Sequence, residues 1–172
     1  MEIVTTNIES PLGPLVAGAT REGICLVEFA GRRRVDDHFT AFRSRWHAAV
    51  VAGTNDHLAR LRAELGAYFA GTLTTFGSPL VMCGTAFEER VWSALVQIPY
   101  GATSSYGALA RAIGESTAAA RAVGRANGRN HIAIVVPCHR VIGQNRTLVG
   151  YGGGLWRKKR LLQLEQDQRP LF

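Results

Sequence analysis

The fold is most readily recognised from residues 116–140, which have the sequence STAAARAVGRANGRNHIAIVVPCHR. The first part, from about residue 118 to 127, predicts a helix with almost no side-chain bulk. The apolar run 132–136, IAIVV, predicts a buried strand. Pro137 ends that run, so Cys138 is expected at the end of a strand, where the strand delivers it to a surface site.

A second predicted helix, residues 106–113, precedes this stretch and gives the pattern of a helix-turn-helix. A serine at 104 or 105 is expected to cap it, Gly114 breaks it, and the residue at 116 or 117 caps the next helix. In that next helix Arg121, Arg125 and Arg129 fall at i, i+4 and i+8, on one face. Small residues allow close approach and arginines suit phosphates, which favours nucleic acid over a tightly packed internal helix with solvated arginines.

The net charge of +7 lies entirely in the second half of the chain. Residues 1–85 hold eight arginines and eight carboxylates, whereas residues 86–172 hold twelve basic and five acidic residues. A neutral half joined to a basic half indicates a polyanionic partner for the second half. On charge alone, a solvated basic face kept for solubility is an equal alternative.

The first half predicts a small α/β scaffold domain, residues 1–83. Strands are expected around residues 3–5, 15–17 and 24–29, and a helix from about residue 56 to 70. The three arginines at 32–34 are expected in an exposed loop or at a helix start. Residues 72–84 have no periodicity and are expected to form a linker.

The second domain is predicted to span residues 84–172. Thr85 and Glu88 have the spacing of a capping box, which opens a helix that ends before Pro99. A short strand or wing is expected at 147–151, and a last helix from about residue 155 to 166. The basic run 157–160 adds positive charge to that last helix.

The chemistry is expected at Cys138. A single cysteine is usually a small buried apolar residue, and the apolar run before it supports that interpretation. Against it, His139 and Arg140 follow directly and both favour a thiolate. Glu165 on the last helix could orient His139, which would take the thiol proton through a water molecule. A cysteine hydrolase and a winged-helix regulator with a structural cysteine are alternative hypotheses, but the first leaves the basic helix-turn-helix unexplained and the second needs longer side chains for base reading.

Five further motifs occur with Pro137-Cys138-His139-Arg140-Val141-Ile142 in one order. They are Gly84-Thr85-x-Phe87-x-x-x-Val91-Trp92, Ile98-Pro99-Tyr100-Gly101, Ser105-Tyr106-Gly107, Ala119-Ala120-Arg121-Ala122-Val123-Gly124 and Gly150-Tyr151-Gly152-Gly153-Gly154. Together they resemble the O6-alkylguanine-DNA alkyltransferases over the second half of the chain. The turn at residues 10–14 also resembles the N-terminal domain of that family, more loosely.

The resemblance implies a role for each matched residue. Cys138 is the acceptor thiolate, with His139 and Glu165 as its activating pair. Asn130 is the hinge that fixes the strand, and Tyr106 rotates the 3′ phosphate and donates a hydrogen bond to the departing base. The residues implied in DNA binding and base flipping are Tyr106, Arg121, Ala119, Ala120, Gly124, Arg125 and Arg129. Those implied in the base pocket are Val141, Tyr151, Gly152 and Gly153.

The resemblance also implies a fold and an activity. The fold is α/β (α+β), with an N-terminal RNase H-like domain and a C-terminal domain of the winged helix-turn-helix type. The activity is a single, irreversible transfer of an alkyl group from O6 of guanine, and also from O4 of thymine, in duplex DNA to Cys138. The nucleotide is flipped out from the minor groove, because its alkyl carbon is otherwise enclosed in the stacked duplex. No cofactor is expected, and the protein is expected to be monomeric in solution, with cooperative binding along DNA left open.

Two positions depart from the family pattern, and one family feature is not expected. His131 replaces the usual proline after Asn130 and is expected to be an exposed loop residue. Gly152 replaces a serine, so the main chain would have to bind the guanine oxygen there. Cys25, His38 and Cys83 lack ligand spacing, so no zinc site is predicted.

The location is expected to be cytoplasmic. The N-terminus lacks the pattern of a secretory signal, no apolar run is long enough to span a membrane, and three scattered cysteines indicate free thiols in a reducing compartment.

Overall fold

The computed structural model describes residues 1–167. Packing divides the chain into two compact units, Met1–Cys83 and a second that begins at Gly84. Residues 168–172, which the predicted second domain includes, lie outside the described residues.

The first unit is built on a four-stranded sheet. Its strands are β1 (Glu2–Ile8), β2 (Leu15–Ala19), β3 (Ile24–Phe29) and β4 (Ala49–Ala52). They are arranged in the order β3-β2-β1-β4; β2 is antiparallel to both of its neighbours, and β4 runs parallel to β1. The first three strands confirm the sequence prediction, and β4 was not predicted because its four residues are mostly exposed and show no alternation.

Two helices belong to the same unit, α1 (Arg33–Trp46) and α2 (Asp56–Phe69). Helix α2 was predicted, and the Asn55 side chain caps it by accepting a hydrogen bond from the amide of Leu58. Helix α1 begins within the three arginines, which is one of the two placements expected for them. The rest of α1 was not predicted, because it is strongly polar and buries only Val35 and Phe42.

The predicted linker is wrong for residues 78–83. Leu80 forms a parallel bridge with Ile24, and the amide of Val81 donates to the Ile24 carbonyl at 2.8 Å. Cys83 joins Ile3, Cys25 and Phe42 in the apolar core of the first unit. The edge of β3 therefore takes up this segment, since its free carbonyl and apolar side chains need partners.

The second unit is mainly helical. Its helices are α3 (Ala86–Val96), α4 (Tyr106–Ala112), α5 (Ala120–Gly128) and α6 (Leu155–Asp167), with 3₁₀ turns at Thr117–Ala119 and Cys138–Arg140. Two-residue strands β5 (Ser104–Ser105) and β6 (Val141–Ile142) pair in parallel. The chain is thus an α/β protein with an N-terminal α/β unit and a C-terminal helical unit, as predicted.

Two of the predicted helix caps are confirmed, whereas a third cap and the predicted wing are wrong. Thr85 and Glu88 form the predicted capping box of α3, and Ser105 caps α4. The predicted cap by the residue at 116 or 117 is wrong, because a 3₁₀ turn precedes α5 and Ser116 makes no capping hydrogen bond. Residues 147–151 form no strand. Among the described residues, no helix is long and apolar enough to cross a membrane.

Two substitutions in α2 should change stability in opposite directions. Leu61 is fully buried, so Leu61→Ala should lower the free energy of unfolding by about 2–5 kcal/mol through lost burial and a cavity. A Cβ at Gly66, on the exposed side of the same helix, would meet no atom within 4 Å. Gly66→Ala should therefore raise stability by about 0.5–1 kcal/mol.

Urea unfolding followed by far-ultraviolet circular dichroism measures both changes. If Leu61→Ala lost no more stability than an exposed substitution, Leu61 would not pack in the core as described.

Candidate active site

Helices α3, α4 and α5 form the frame of the site. The indole Nε1 of Trp92 on α3 donates to the carbonyl of Ala126 on α5 at 2.8 Å, which fixes these two helices together. A Cβ at Gly124 would lie 3.6 Å from the ring of Tyr106 on α4. The small residues of α5 therefore allow close packing against Tyr106, besides leaving an open outer surface.

The predicted strand at 132–136 is wrong. These residues form a buried loop of turns, in which Ile134 has a φ of 72°. The Asn130 side chain closes the loop, because its Nδ2 donates to the Val136 carbonyl and its Oδ1 accepts from the Ile132 amide, both at 2.9 Å. An amide side chain and local turn bonds thus satisfy a backbone that a neighbouring strand would otherwise satisfy. Asn130 does fix the segment that leads to Cys138.

His131 is buried, with 3% of its surface exposed, which contradicts the expected exposed loop histidine. Its ring meets the ring of Trp92 edge to face, with 4.8 Å between centroids. An aromatic partner on α3 therefore takes up the imidazole that replaces the usual proline.

Cys138 begins a 3₁₀ turn and is 7% exposed, so it does not lie at an open surface as predicted. His139 in the same turn is fully buried, and Arg140 is 6% exposed. The thiol is therefore nearly enclosed, and α6 packs against the turn that carries it.

Glu165 on α6 joins the two residues that follow Cys138. Its Oε1 lies 2.7 Å from His139 Nε2, and Arg140 donates to both carboxylate oxygens at 2.9 and 3.0 Å. Burial by itself would raise the pKa of Glu165, but the neighbouring His139 and Arg140 lower it to about 2. The carboxylate is therefore ionised, and the structure brings together the expected His139–Glu165 pair.

The guanidinium of Arg140 pairs with Glu165 and also donates to the Ile98 carbonyl at 2.6 Å. The expectation that Arg140 favours the thiolate stays a prediction. The other ring nitrogen of His139, Nδ1, makes no hydrogen bond to any described residue. That nitrogen is the atom available to a thiol or a bridging water.

The ionisation of Tyr106 is affected by the charge of Cys138. Burial raises the pKa of the half-buried Tyr106 hydroxyl, and negative charge on Cys138 raises it further. The hydroxyl donates to the Val149 carbonyl at 3.4 Å. Tyr106 is therefore a neutral donor at the edge of the site.

Lys158 is a site residue that the sequence analysis missed. It was counted only as part of the basic run 157–160, but its side chain is fully buried and its ammonium donates to three main-chain carbonyls. The signal lay in the helical period, since Lys158 precedes Leu161 by three residues and Glu165 by seven. These positions share the inner face of α6.

One of the expected pocket residues, Val141, contacts this lysine. Val141 is fully buried and its carbonyl accepts from Lys158, while Tyr151 and Gly152 are half-buried and Gly153 is buried. The Tyr151 carbonyl accepts from the amide of Gly154 at 2.9 Å, which turns the chain into α6.

The predicted DNA contacts are mostly accessible. Arg121 and Arg125 are exposed, and Ala119, Ala120 and Gly124 are half-buried. Arg129 is exposed too, but its guanidinium pairs with Glu88 of the capping box at 2.9 Å. Arg121 and Arg125 are thus better placed than Arg129 to reach a phosphate. No group of three or more metal-ligating side chains occurs within residues 1–167.

Comparison with known proteins places the chain among repair proteins. Residues 86–167 match the DNA-binding domain of 6-O-methylguanine DNA methyltransferase. The methylated-DNA–protein-cysteine methyltransferase of Mycobacterium leprae is 48% identical over 162 residues, which cover 94% of this chain and 92% of that protein. The chain belongs to the methylated-DNA–protein-cysteine methyltransferase family.

Solved structures of this family agree with the fold. The crystal structure of Mycobacterium tuberculosis OGT in complex with DNA matches with a TM-score of 0.80 and 44% identity, over 99% of this chain and 96% of that one. The O6-methylguanine-DNA methyltransferase of Pyrococcus kodakaraensis matches with a TM-score of 0.72 and 26% identity, over 95% and 98% of the two chains. Membership of the methyltransferase family sets aside the cysteine hydrolase and the winged-helix regulator.

Removing the charge of Glu165 should destabilise the protein in a pH-dependent way. The folded pKa is about 2, below the unfolded value of about 4.3, so ionisation stabilises the fold fully above that unfolded value. The benefit is lost as the pH falls towards 2. Glu165→Gln should therefore cost about 3 kcal/mol near pH 7, because Arg140 loses its buried partner, and the cost should shrink below about pH 4.5.

Urea unfolding at several pH values measures this difference. Glu115→Gln is the matched control, since Glu115 forms only an exposed pair with Arg90 and its loss should change stability by less than about 0.5 kcal/mol. A gap between the native protein and Glu165→Gln that stays constant down to pH 2 would contradict an ionised Glu165.

Proposed function

We propose that this protein repairs O6-alkylguanine in duplex DNA by transferring the alkyl group to its own Cys138, once per molecule. The observation that carries the proposal is the arrangement around Cys138. The next residue, His139, is hydrogen-bonded to an ionised Glu165. The Tyr106 hydroxyl is neutral, and negative charge on Cys138 contributes to raising its pKa. Membership of the methyltransferase family supports the same chemistry.

The reaction is a displacement at carbon. His139 takes the thiol proton, directly or through water, and Glu165 orients its imidazole and stabilises the positive charge that forms. The sulfur attacks the alkyl carbon, the bond from that carbon to O6 breaks, and the electron pair stays on the guanine. The Tyr106 hydroxyl donates a hydrogen bond as this charge develops. The proton removed from the thiol balances the one needed to restore neutral guanine.

The product on the protein is a thioether, which the site has no evident means to cleave. The nearly enclosed sulfur supports a single turnover. We extend the proposal to O4 of thymine, since it presents the same alkyl–oxygen bond.

Access to the sulfur requires the nucleotide to leave the duplex, because Cys138 is almost buried. Unstacking costs a few kcal/mol. Arg121, exposed near the start of α5, fills the vacated position, and Arg125 binds a phosphate. The small residues Ala119, Ala120 and Gly124 let α5 approach the minor groove closely. The main chain of Val141, Gly152 and Gly153, with the ring of Tyr151, lines the pocket for the everted base.

The proposal also covers the roles of the two units, the oligomeric state and the cellular compartment. The residues from Gly84 onward act on DNA, and the first unit serves as a scaffold. We propose that the protein acts as a monomer. The three cysteines form no disulfide with one another, which supports a reducing compartment, the cytoplasm.

Transfer should be stoichiometric and confined to Cys138. After incubation with a duplex containing O6-methylguanine, intact-protein mass spectrometry should show a gain of one methyl group, and peptide mapping should locate it on Cys138. Cys138→Ala should abolish transfer and retain DNA binding, whereas the control Cys83→Ala should retain both. Demethylation beyond one equivalent would disprove the single-turnover mechanism.

Arg121 and Arg125 should have separable effects. Arg121→Ala should slow repair of duplex DNA at saturating protein by at least about tenfold, because the vacated position is no longer filled. Reaction with free O6-benzylguanine should be nearly unchanged. The control Arg125→Ala should weaken DNA binding and reduce its salt dependence, while the rate at saturation is retained. Equal losses on duplex and free base for Arg121→Ala would eliminate the proposed insertion role.

A further inference from the structure

The surface beside the proposed base pocket carries exposed apolar side chains. Among the described residues six large apolar side chains are exposed, and three of them, which we call the rim patch, are Val149, Leu155 and Trp156. They lie directly before and after the segment 151–153 that we propose to line the pocket. Trp156 is the most exposed of the three, at 56%. Apolar side chains grouped in this way at a surface commonly mark an interaction site.

An arginine stacked on the tryptophan adds a positive charge to the rim patch. The Cζ of Arg157 lies 4.6 Å from the centre of the Trp156 ring system. The Nη1 of the same guanidinium donates to the Gly153 carbonyl at 2.9 Å. Cation–π attraction and this hydrogen bond hold the guanidinium in one orientation. Arg157 thus connects the indole of Trp156 to the loop of the base pocket.

The rim patch lies close to the helix that carries the proposed DNA contacts. The Tyr106 hydroxyl donates to the Val149 carbonyl at 3.4 Å, and a Cβ at Gly150 would lie 3.7 Å from the hydroxyl oxygen. A Cβ at Gly124 of α5 would lie 3.6 Å from the ring of the same tyrosine. One tyrosine side chain therefore bridges the loop and α5, so DNA bound along α5 passes close to the rim patch.

The charges of this region favour DNA over a protein as the partner of the rim patch. Residues 116–164 contain seven arginines and two lysines, and no aspartate or glutamate. A field of one sign over so long a stretch attracts a polyanion. The DNA backbone alternates charged phosphates with the apolar faces of deoxyribose. The rim patch and Arg157 present the matching combination of apolar side chains and a cation.

We infer that Trp156 and Arg157 bind the lesion-bearing strand at the mouth of the base pocket. The indole packs against a deoxyribose, and the guanidinium pairs with an adjacent phosphate. An everted nucleotide stays covalently joined to its strand, so the strand must cross the edge of the cavity that the base enters. The inference rests on the proposed function, because it assigns the rim patch to the same DNA substrate.

Substitution of Trp156 tests the contact of the indole. In the Cys138→Ala background, which prevents reaction, Trp156→Ala should weaken binding to a duplex containing O6-methylguanine by about fivefold. Fluorescence anisotropy of the labelled duplex measures the affinity, and Trp156→Phe should recover most of the loss because it retains an aromatic ring. The control Val96→Ala removes another exposed apolar side chain, at the end of α3, and should leave the affinity unchanged. An unchanged affinity in Trp156→Ala, or an equal loss in the control, would overturn the inference.

A fluorescence measurement tests the contact without truncating the indole. The chain has three tryptophans, so subtraction of the emission of Trp156→Phe leaves the signal of Trp156. Acrylamide should quench this signal less when the duplex is bound, because the strand covers the indole. Equal quenching with and without saturating duplex would overturn the inference, even if Trp156→Ala bound DNA weakly because its fold had changed.

Neutral substitutions in the DNA locate the phosphate contact. A methylphosphonate should replace one phosphate at a time on each side of the lesion. At one position this replacement should weaken binding of the protein with Arg157 intact and have no effect on Arg157→Gln. The control Arg160→Gln, at an exposed position of the same helix, should retain the full effect at that position. Absence of any such position would overturn the assignment of a phosphate to Arg157.

The results distinguish this inference from the proposed function. If the native protein bound the duplex and transferred no methyl group, the proposed function would fail, while acrylamide quenching and the methylphosphonate series would still decide whether the strand crosses the rim patch. If the native protein transferred the methyl group and the duplex left the quenching of Trp156 unchanged, the inference would fail alone.

Discussion

The buried carboxylate of Glu165 is the interaction on which the second unit depends. Transfer of a charge into the interior is costly unless partners compensate it, and here His139 and Arg140 together supply three hydrogen bonds. These bonds attach α6 to the turn that contains Cys138. Gly101 lies against the same helix, where its φ of 77° and a Cβ only 3.2 Å from the Glu165 carbonyl would disfavour any other residue. Glycine at position 101 is thus needed for close packing against α6, in addition to its place in the turn that follows α3.

Elements with a strong local signal could be predicted from the sequence. Helix α2 shows a regular apolar period. The spacing of Thr85 and Glu88 is that of a capping box, so it predicts the residue at which α3 begins. The apolar run 132–136 shows the limit of such signals, because periodicity does not distinguish a buried strand from any other buried segment. Its conformation is decided by the side chain of Asn130, which binds both ends of the loop. Helix α1 and strand β4 could not be predicted because neither carries a clear apolar period.

The sequence predicted which residues form the site, but it did not predict how all of them are buried and bonded. Motif order identified Cys138, His139 and Glu165, and helical spacing made it plausible that α6 returns to the histidine. The environments of Lys158 and His131 were not predicted, since a charged or polar side chain is placed inside only by partners distant in sequence. For Lys158 these are carbonyls of Val141 and of the 149–150 loop, and for His131 the indole of Trp92.

The proton released from Cys138 in the proposed reaction adds a charge to the Glu165 network. In the structure, the carboxylate of Glu165 contacts the Arg140 guanidinium and the His139 ring. A proton taken up by His139 places a second positive charge against a carboxylate whose pKa is already lowered to about 2. The carboxylate stabilises that charge, because opposite charges in the interior compensate each other's burial. The network that attaches α6 to the turn is thus also the one that lowers the cost of forming the thiolate.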